Sequence, residues 1–187
     1  MHFHKIKSLE QSLEKNKVDK VIVDKIMKGA EKITSSTKPD IKAEWCYQAM
    51  TRMDELLEES LRQKIREDCA CSIKGWRNDL CKKVNKNYGT AEERIKAVNE
   101  ASSIFGDGVK IVGDGKYEVF FFDDSKEEFR CVCLRSLDKE WSETWCYCCG
   151  GHVKYHLETL LGKELKVKVV SSALMSNGRE NCIFELE

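Results

Sequence analysis

The spacing of apolar residues changes once along the chain, at Gly106-Asp107-Gly108, and this change constrains the fold more than any other feature. Before it, over residues 5–107, apolar residues recur at the three- and four-residue intervals of amphipathic helices. After it, short extended stretches alternate with glycine and aspartate turns, which is typical of β-hairpins. Helices in one half and strands in the other predict an α+β fold with an antiparallel sheet.

The helical half is predicted to contain helices of unequal length, bounded by recognisable start and stop signals. Proline suits the first turn of a helix, and Thr followed three residues later by Glu forms a capping box. The predicted boundaries are a break near Asn16, a polar break at 34–37, a long helix from Pro39 to about Asp68, a shorter helix around 76–84, and a helix opened by Thr90 and Glu93 that ends at Phe105.

The second half is predicted to hold about five strands and one helix, in the order β-β-β-α-β-β. Asn177-Gly178 is its strongest turn signal, and Gly162 is expected to end its helix. The predicted strands cover 109–112, 117–122, 128–134, 165–174 and 182–186, with a polar loop over 135–147 and the helix over 149–161. We expect a helical region, 1–107, to pack on the sheet region, 108–187, as one integrated domain.

Charge and hydropathy exclude two classes of partner. Lys and Arg number 32, as do Asp and Glu, and no segment is basic enough for a phosphate-binding surface. Nucleic acid is therefore not expected as a partner. The N-terminus lacks the apolar core of a secretion signal, and no window approaches the roughly 18 apolar residues of a membrane span. The sequence predicts a cytoplasmic protein that does not enter a membrane.

Ten cysteines are the most informative part of the composition. In a reducing compartment, many cysteines indicate metal or redox chemistry more often than disulfides. Seven of them fall into three short clusters, Cys69-Ala70-Cys71, Cys131-Val132-Cys133 and Cys146-Tyr147-Cys148-Cys149. The isolated Cys46, Cys81 and Cys182 are expected to be small core residues, as free cysteines often are.

The clusters predict a structural zinc site, because thiolates bind zinc tetrahedrally at about 2.3 Å. The four preferred ligands are Cys69, Cys71, Cys133 and Cys148. On a regular strand, residues 131 and 133 would lie roughly 6.5–7 Å apart, too far for one ion, so Cys133 is preferred as the nearer to the loop. The substitutes are Cys131, Cys146, Cys149 and His152. An iron–sulfur cluster is the alternative, although its usual cysteine spacings of two or four residues are not found here.

A catalytic alternative places a nucleophile at Cys149, since a helix start lowers a thiol pKa. His152 and His156 follow on neighbouring turns and could act as its base. The same histidines, together with Trp145, are candidates for lining a ligand pocket. Polar surface or a packed rim on a half-exposed helix face is the simpler interpretation of both histidines.

A longer pattern follows the third cysteine cluster. It runs from Cys146-Tyr147-Cys148-Cys149-Gly150-Gly151 through His156-Leu157-Glu158 and Leu161-Gly162-Lys163 to 167–172 and 176–184. This pattern resembles the 4-vinyl reductase, or hydrocarbon-binding, domain family over about residues 109–187, most specifically over 158–184. A related branch is named for hydrolysis of 2-amino-thiazoline-4-carboxylate. The paired Cys148-Cys149 and the long helical N-terminus depart from the compact family domain.

The resemblance implies an α+β fold shared with nitric-oxide-sensing haem domains and vesicle-tethering subunits. Its members bind small, often apolar molecules, commonly as dimers, and some carry zinc on cysteines. The resemblance makes Gly162, Gly178 and Cys182 fold markers and Cys148 a metal ligand. Haem is not expected, because no histidine can be assigned as its axial ligand.

The resulting prediction is a small-molecule sensor or carrier with a structural cysteine-ligated zinc, and the resemblance implies that it is a dimer. Its ligand would be a small apolar or heterocyclic molecule, and the partner a second copy in a homodimer. The alternative function is a cysteine-dependent hydrolase of a small cyclic amide or thiazoline.

Overall fold

The structure is a computed structural model that describes residues 3–71, 73–101, 104–134 and 139–187. It is a mixed α+β structure. The helices are α1 His4–Lys15, α2 Lys20–Ile26, α3 Pro39–Leu56, α4 Glu59–Asp68, α5 Trp76–Asn87, α6 Ala91–Ala101 and α7 Tyr147–Leu161, with short 3₁₀ turns at Ala30–Lys32 and Glu143–Cys146. The strands are β1 Gly108–Gly113, β2 Lys116–Phe120, β3 Val167–Ser171 and β4 Ile183–Leu186.

Local signals placed most helix ends correctly. Asn16 follows the last residue of α1, and Pro39 is the first residue of α3. The capping box of α6 is confirmed, because the Glu93 N–H donates to Thr90 Oγ1 at 3.2 Å while the Thr90 N–H donates to Glu93 Oε2 at 3.1 Å. The predicted end at Phe105 is too late, since α6 ends at Ala101 and residues 104–107 form turns; residues 102–103 lie outside the described chain.

The long helix predicted from Pro39 to Asp68 is wrong in one respect, because it is two helices. Leu57 and Glu58 are extended and separate α3 from α4. The apolar stripe continues through this break, with Met53, Leu57 and Ile65 all buried, since both helices face the same core. Periodicity alone therefore could not reveal the change of direction.

Within the described residues, the sheet has four antiparallel strands in the order β1-β2-β4-β3, so the predicted five-strand arrangement is wrong. The predicted third strand, 128–134, is irregular. The physical reason is that β2 pairs with β1 along one edge and with β4 along the other, which leaves it no edge for another strand. The segment is attached instead by the Phe129 N–H, which donates to the Gly178 carbonyl at 2.9 Å.

The predicted turn at Asn177-Gly178 is confirmed by its backbone. Both residues have positive φ, 52° and 86°, in the left-handed region that asparagine and glycine tolerate best. This turn lies between β3 and β4, which pair with each other. Residues 135–138 of the predicted loop lie outside the described chain, and its later part holds the 3₁₀ turn before α7.

Helix α7 is central, because it packs against α4 and α5 on one side and β3 on another. Val153, His156, Leu157 and Leu160 on this helix are fully buried. Its close approach to the end of α4 requires glycine at 151, where a Cβ would lie 2.7 Å from Glu67 Cα. One cluster of buried residues includes both predicted regions, and none of the described helices has the length and apolar character needed to cross a membrane.

Candidate metal centre

The centre begins at the first turn of α7. Ser142 opens the preceding 3₁₀ turn, where its Oγ accepts from the Thr144 N–H at 3.1 Å. This turn leads directly into α7, whose second and third residues are Cys148 and Cys149. Their backbone is therefore held by regular structure, and their side chains are presented from one helical turn.

Three thiols meet at this turn. The Sγ atoms of Cys133, Cys148 and Cys149 all lie within 4.8 Å of one another. Sulfurs around a tetrahedral zinc ion with 2.3 Å bonds lie about 3.8 Å apart, so a small adjustment would bring these three into the first coordination sphere. Cys148 is buried and the other two are half-buried. These three cysteines are close enough to hold a metal ion.

Cys131 lies against the same group, contrary to the spacing expected on a strand. Because the chain bends at residues 132–134, the Cys133 N–H donates to Cys131 Sγ at 3.4 Å. The neighbouring Cys133 thiol and burial raise the pKa of Cys131. The preference for Cys133 over Cys131 rested on a regular strand that does not exist.

Cys69 and Cys71 approach from the end of α4. Cys71 and Cys133 line the same cavity, and the Cys133 thiol, together with burial, raises the pKa of Cys71. Cys69 caps α4, and its thiol donates to the carbonyls of Ile65 at 3.3 Å and Ser8 at 3.6 Å. A cavity of about 190 Å³, here called the thiol cavity, is lined by Cys69, Cys71, Cys133 and Cys148, and by His4, Lys5, Ser8, Arg66 and Ala70. The four preferred ligands thus line one cavity.

The thiols differ in their ease of ionisation. The neighbouring thiols, that of Cys131 foremost, stabilise the Cys133 thiolate and lower the pKa of Cys133. The same interaction raises the pKa of Cys148 and, together with the Cys148 thiol and burial, that of Cys149 well above its ordinary range. One sulfur at the centre is therefore the preferred site of negative charge.

Two cations accompany the thiols. Arg66 is only 2% exposed, its Nη2 donates to the Trp145 carbonyl at 3.2 Å, and its guanidinium lies 4.5 Å from the Trp145 ring centre. Burial opposes this charge, but the thiols of Cys69 and Cys148 outweigh it and raise the pKa of Arg66. Among the described residues, neither Arg66 nor Lys5 forms an ion pair with a carboxylate.

Lys5 occupies the α1 side of the thiol cavity. Its Nζ donates to the Cys133 carbonyl at 3.4 Å. Burial lowers the pKa of Lys5, but the nearby Cys133 and Cys148 thiols reverse this effect and raise it. Sequence reasoning missed both cations. The sequence offers one weak indication of Arg66, which follows Ile65 of the apolar stripe and precedes Cys69 by three residues. Nothing in the sequence marks Lys5.

The residues predicted to bind a ligand, Trp145, His152 and His156, are engaged in packing contacts and hydrogen bonds within the protein. Trp145 is buried and stacks on Arg66. His152 Nδ1 donates to the Cys71 carbonyl at 2.8 Å, so this side chain positions the backbone of Cys71. His156 is fully buried, with Nδ1 3.9 Å from Cys81 Sγ and its ring 4.6 Å from that of His152. Neither histidine lines the thiol cavity.

The other four cysteines, Cys46, Cys81, Cys146 and Cys182, are buried. Cys46, Cys81 and Cys182 belong to the core, as predicted. Cys146 is also buried, and its thiol donates to Ser172 Oγ at 3.1 Å. Burial raises the pKa of Cys46, Cys81 and Cys146 to about 12. These thiols stay protonated near neutral pH.

A protein-family model, DUF6144, matches residues 3–186 and is described as a family of unknown function. The chain belongs to the DUF6144 family. The match includes the helical region, the sheet and every cysteine of the centre. No curated protein and no solved structure matches the chain.

Proposed function

We propose that this chain is a zinc-binding protein in which one ion, held by Cys131, Cys133, Cys148 and Cys149, joins the irregular segment 127–134 to the start of α7. The observation that carries this proposal is the meeting of the Cys133, Cys148 and Cys149 sulfurs within 4.8 Å. Cys131 is the natural fourth ligand, because its sulfur accepts the Cys133 N–H at 3.4 Å and therefore lies beside Cys133.

The charge around the thiols supports a metal–thiolate centre. Four thiolates and one Zn²⁺ carry a net charge of −2, which the Arg66 and Lys5 side chains would balance. A buried guanidinium without a negative partner costs several kcal/mol. Because no carboxylate among the described residues pairs with Arg66, thiolates are its best available counter-charge. Zinc fits four such ligands better than harder cations, which prefer oxygen.

The position of the centre gives the ion a structural role. Segment 127–134 has neither helix nor strand to fix it, and it lies 14 residues before Cys148 in the chain. A metal bond between this segment and α7 would replace the missing backbone pairing. Binding free energy at such a site is also folding free energy, since the unfolded chain has no preformed site.

Metal ligation is better supported than the hydrolase alternative. The Cys149 thiol is held against the Cys133 and Cys148 thiols, and the resulting rise in its pKa opposes its use as a nucleophile. The expected base, His152, donates instead to the Cys71 carbonyl. The hydrolase stays an untested alternative with no observation that favours it.

Small-molecule binding also stays a prediction. A cavity lined in part by Phe121, Trp145 and Phe184, between the sheet and the start of α7, measures about 10 Å³. This is about the space of one water, whereas an apolar cavity that takes up benzene needs on the order of 150 Å³. The resemblance to 4-vinyl reductase domains, the homodimer and the cytoplasmic location likewise stay predictions.

The test is elemental analysis of the full chain, purified without a histidine tag under anaerobic conditions, with a visible spectrum of the same sample. We expect colourless protein containing zinc, and loss of the metal in Cys133→Ser. The matched control is Cys81→Ala, which removes a buried cysteine outside the centre and should retain zinc. Iron with a visible chromophore would instead identify an iron–sulfur centre, and protein without metal would contradict the proposal.

A further inference from the structure

Six cysteines surround the centre as two overlapping groups of four. The first group is Cys131, Cys133, Cys148 and Cys149, the ligands proposed above. The second lines the thiol cavity and consists of Cys69, Cys71, Cys133 and Cys148. Cys133 and Cys148 belong to both groups. A single tetrahedral ion would use four of the six thiols and leave two beside it unused.

We propose that a second divalent, thiophilic metal ion binds in the thiol cavity, so that two ions share six cysteines. This inference rests on the proposed zinc site. Cys69 and Cys71 would be terminal ligands of the second ion, Cys131 and Cys149 terminal ligands of the first, and Cys133 and Cys148 would bridge them. Each ion then has two terminal and two bridging thiolates, which completes a tetrahedron of sulfur around both.

The positions of Cys133 and Cys148 carry the bridging assignment. Their sulfurs lie within 4.8 Å of each other and of Cys149 Sγ, and both residues also line the thiol cavity beside Cys69 and Cys71. One tetrahedral ion accommodates only four sulfurs. Because Cys133 and Cys148 belong to both groups of four, their sulfurs have the placement of bridges between two ions.

The thiol cavity has the space and charge for the second ion. Its volume of about 190 Å³ exceeds that of a single ion, and Lys5 and Arg66 both line it. The added ion brings two positive charges and the added Cys69 and Cys71 thiolates bring two negative ones. The net charge therefore stays at −2, and the same two cations balance it.

Hydrogen bonds already position Cys69 and Cys71, the proposed terminal ligands of the second ion, beside the thiol cavity. The Cys71 carbonyl is held by His152 at 2.8 Å, which fixes this residue beside α7. The Cys69 thiol now donates to the Ile65 and Ser8 carbonyls and already borders the cavity. Metal binding would remove its proton and turn the sulfur away from these carbonyls, with the proton released to solvent.

The experiment loads metal-free full chain with cadmium-113 under anaerobic conditions, removes free metal and measures both the stoichiometry and the ¹¹³Cd spectrum. We expect two ions per chain and two resonances coupled to each other through the bridging sulfurs. Cys69→Ser/Cys71→Ser should bind one ion and give one uncoupled resonance. The control Cys81→Ala should retain two coupled ions.

The outcomes separate this inference from the proposed function. One ion in both the unchanged chain and the double variant would overturn the second site and keep the first. If the unchanged chain binds one ion and the double variant binds none, the second site is overturned, and so are the ligands proposed for the first. Two ions without coupling, or two in the double variant, would overturn the bridged arrangement. No bound ion would overturn both proposals. Even if the double variant does not fold, the spectrum of the unchanged chain shows whether two ions are coupled through bridging sulfurs.

Discussion

At the scale of single residues, the centre depends on a few side chains whose environment differs from that of the rest of their element. Arg66 is the clearest case, because the other charged residues of α4 are exposed or half-buried, whereas this guanidinium is buried and lies over the Trp145 ring beside the thiol cavity. A buried charge needs a counter-charge nearby. Arg66 therefore connects the helical region to the chemistry of the cysteines.

We expect Arg66→Met to weaken zinc binding roughly 10–100-fold, the usual effect of losing a group that supports metal ligands. Methionine preserves much of the side-chain volume but removes the charge that balances the thiolates. Competition with a chromophoric chelator measures the change. Arg52→Met is the control, since Arg52 lies on α3 with Nη1 3.4 Å from the Lys28 carbonyl. Equal zinc affinities in the two variants would show that Arg66 does not support the centre.

Buried cysteines outside the centre predict a loss of stability at high pH. The Cys46 and Cys81 thiols have a pKa of about 12 because of burial, against an ordinary value near 9. In the unfolded chain they ionise above pH 9, whereas in the folded chain they do not. The unfolded state therefore binds fewer protons, and the free energy of unfolding falls as pH rises from about 9 to 12.

Urea unfolding of metal-free, reduced protein across this pH range measures the effect. Cys46→Ala/Cys81→Ala should be less stable than the unchanged chain near pH 7, because two buried side chains are truncated, but its stability should decline less above pH 9. Parallel curves for the two proteins would be inconsistent with this cause.

At the scale of elements, the contact between α4 and α7 decides which cysteines meet. The end of α4 supplies Cys69 and Cys71, and the start of α7 supplies Cys148 and Cys149. Gly151 allows the two helices to approach, because its missing Cβ leaves room for the Glu67 backbone. Lys154 on α7 also pairs with Glu67 on α4 at 2.9 Å.

Gly151→Ala is expected to destabilise the protein although alanine favours a helix by about 1 kcal/mol over glycine. The new methyl group would lie 2.7 Å from Glu67 Cα, so α7 must move away from α4. The melting temperature and the number of metal ions bound per chain should both decrease. Gly150→Ala is a matched control on the adjacent residue, since its Cβ would meet Val167 at 3.5 Å, an ordinary contact. If both variants keep normal stability and metal content, the close approach is not required.

At the scale of the whole molecule, the proposed metal joins parts that are distant in sequence. The end of α4, the irregular segment after β2 and the start of α7 come together at the thiols, and the core beneath them is continuous. The sheet itself does not hold segment 127–134 by strand pairing. The metal would therefore stabilise one corner of the molecule more than the rest.

Removal of zinc by a chelator should lower the melting temperature. At free zinc 1,000 times its Kd, binding stabilises the folded state by about 4 kcal/mol, which corresponds to about 8–16 °C for a chain of this length. Hydrogen exchange should increase most in 127–134 and the first turn of α7, and least in α6, whose capping box is independent of the centre. A uniform increase over all elements, or unchanged melting, would argue against a local metal crosslink.

Local sequence patterns were sufficient to predict the segregation of helices and strands, most helix boundaries, the Asn177-Gly178 turn and the three cysteine clusters. These features depend on apolar periodicity, capping and backbone preferences within a few residues, so they can be predicted locally. Tertiary structure decided what no local signal contains: that β2 has no free edge for a strand at 128–134, that the resulting bend brings Cys131 to Cys133, and that Arg66 and Lys5 face the thiols. Cys71 and Cys148 are separated by 77 positions, and only the packing of α4 on α7 brings them to the same cavity.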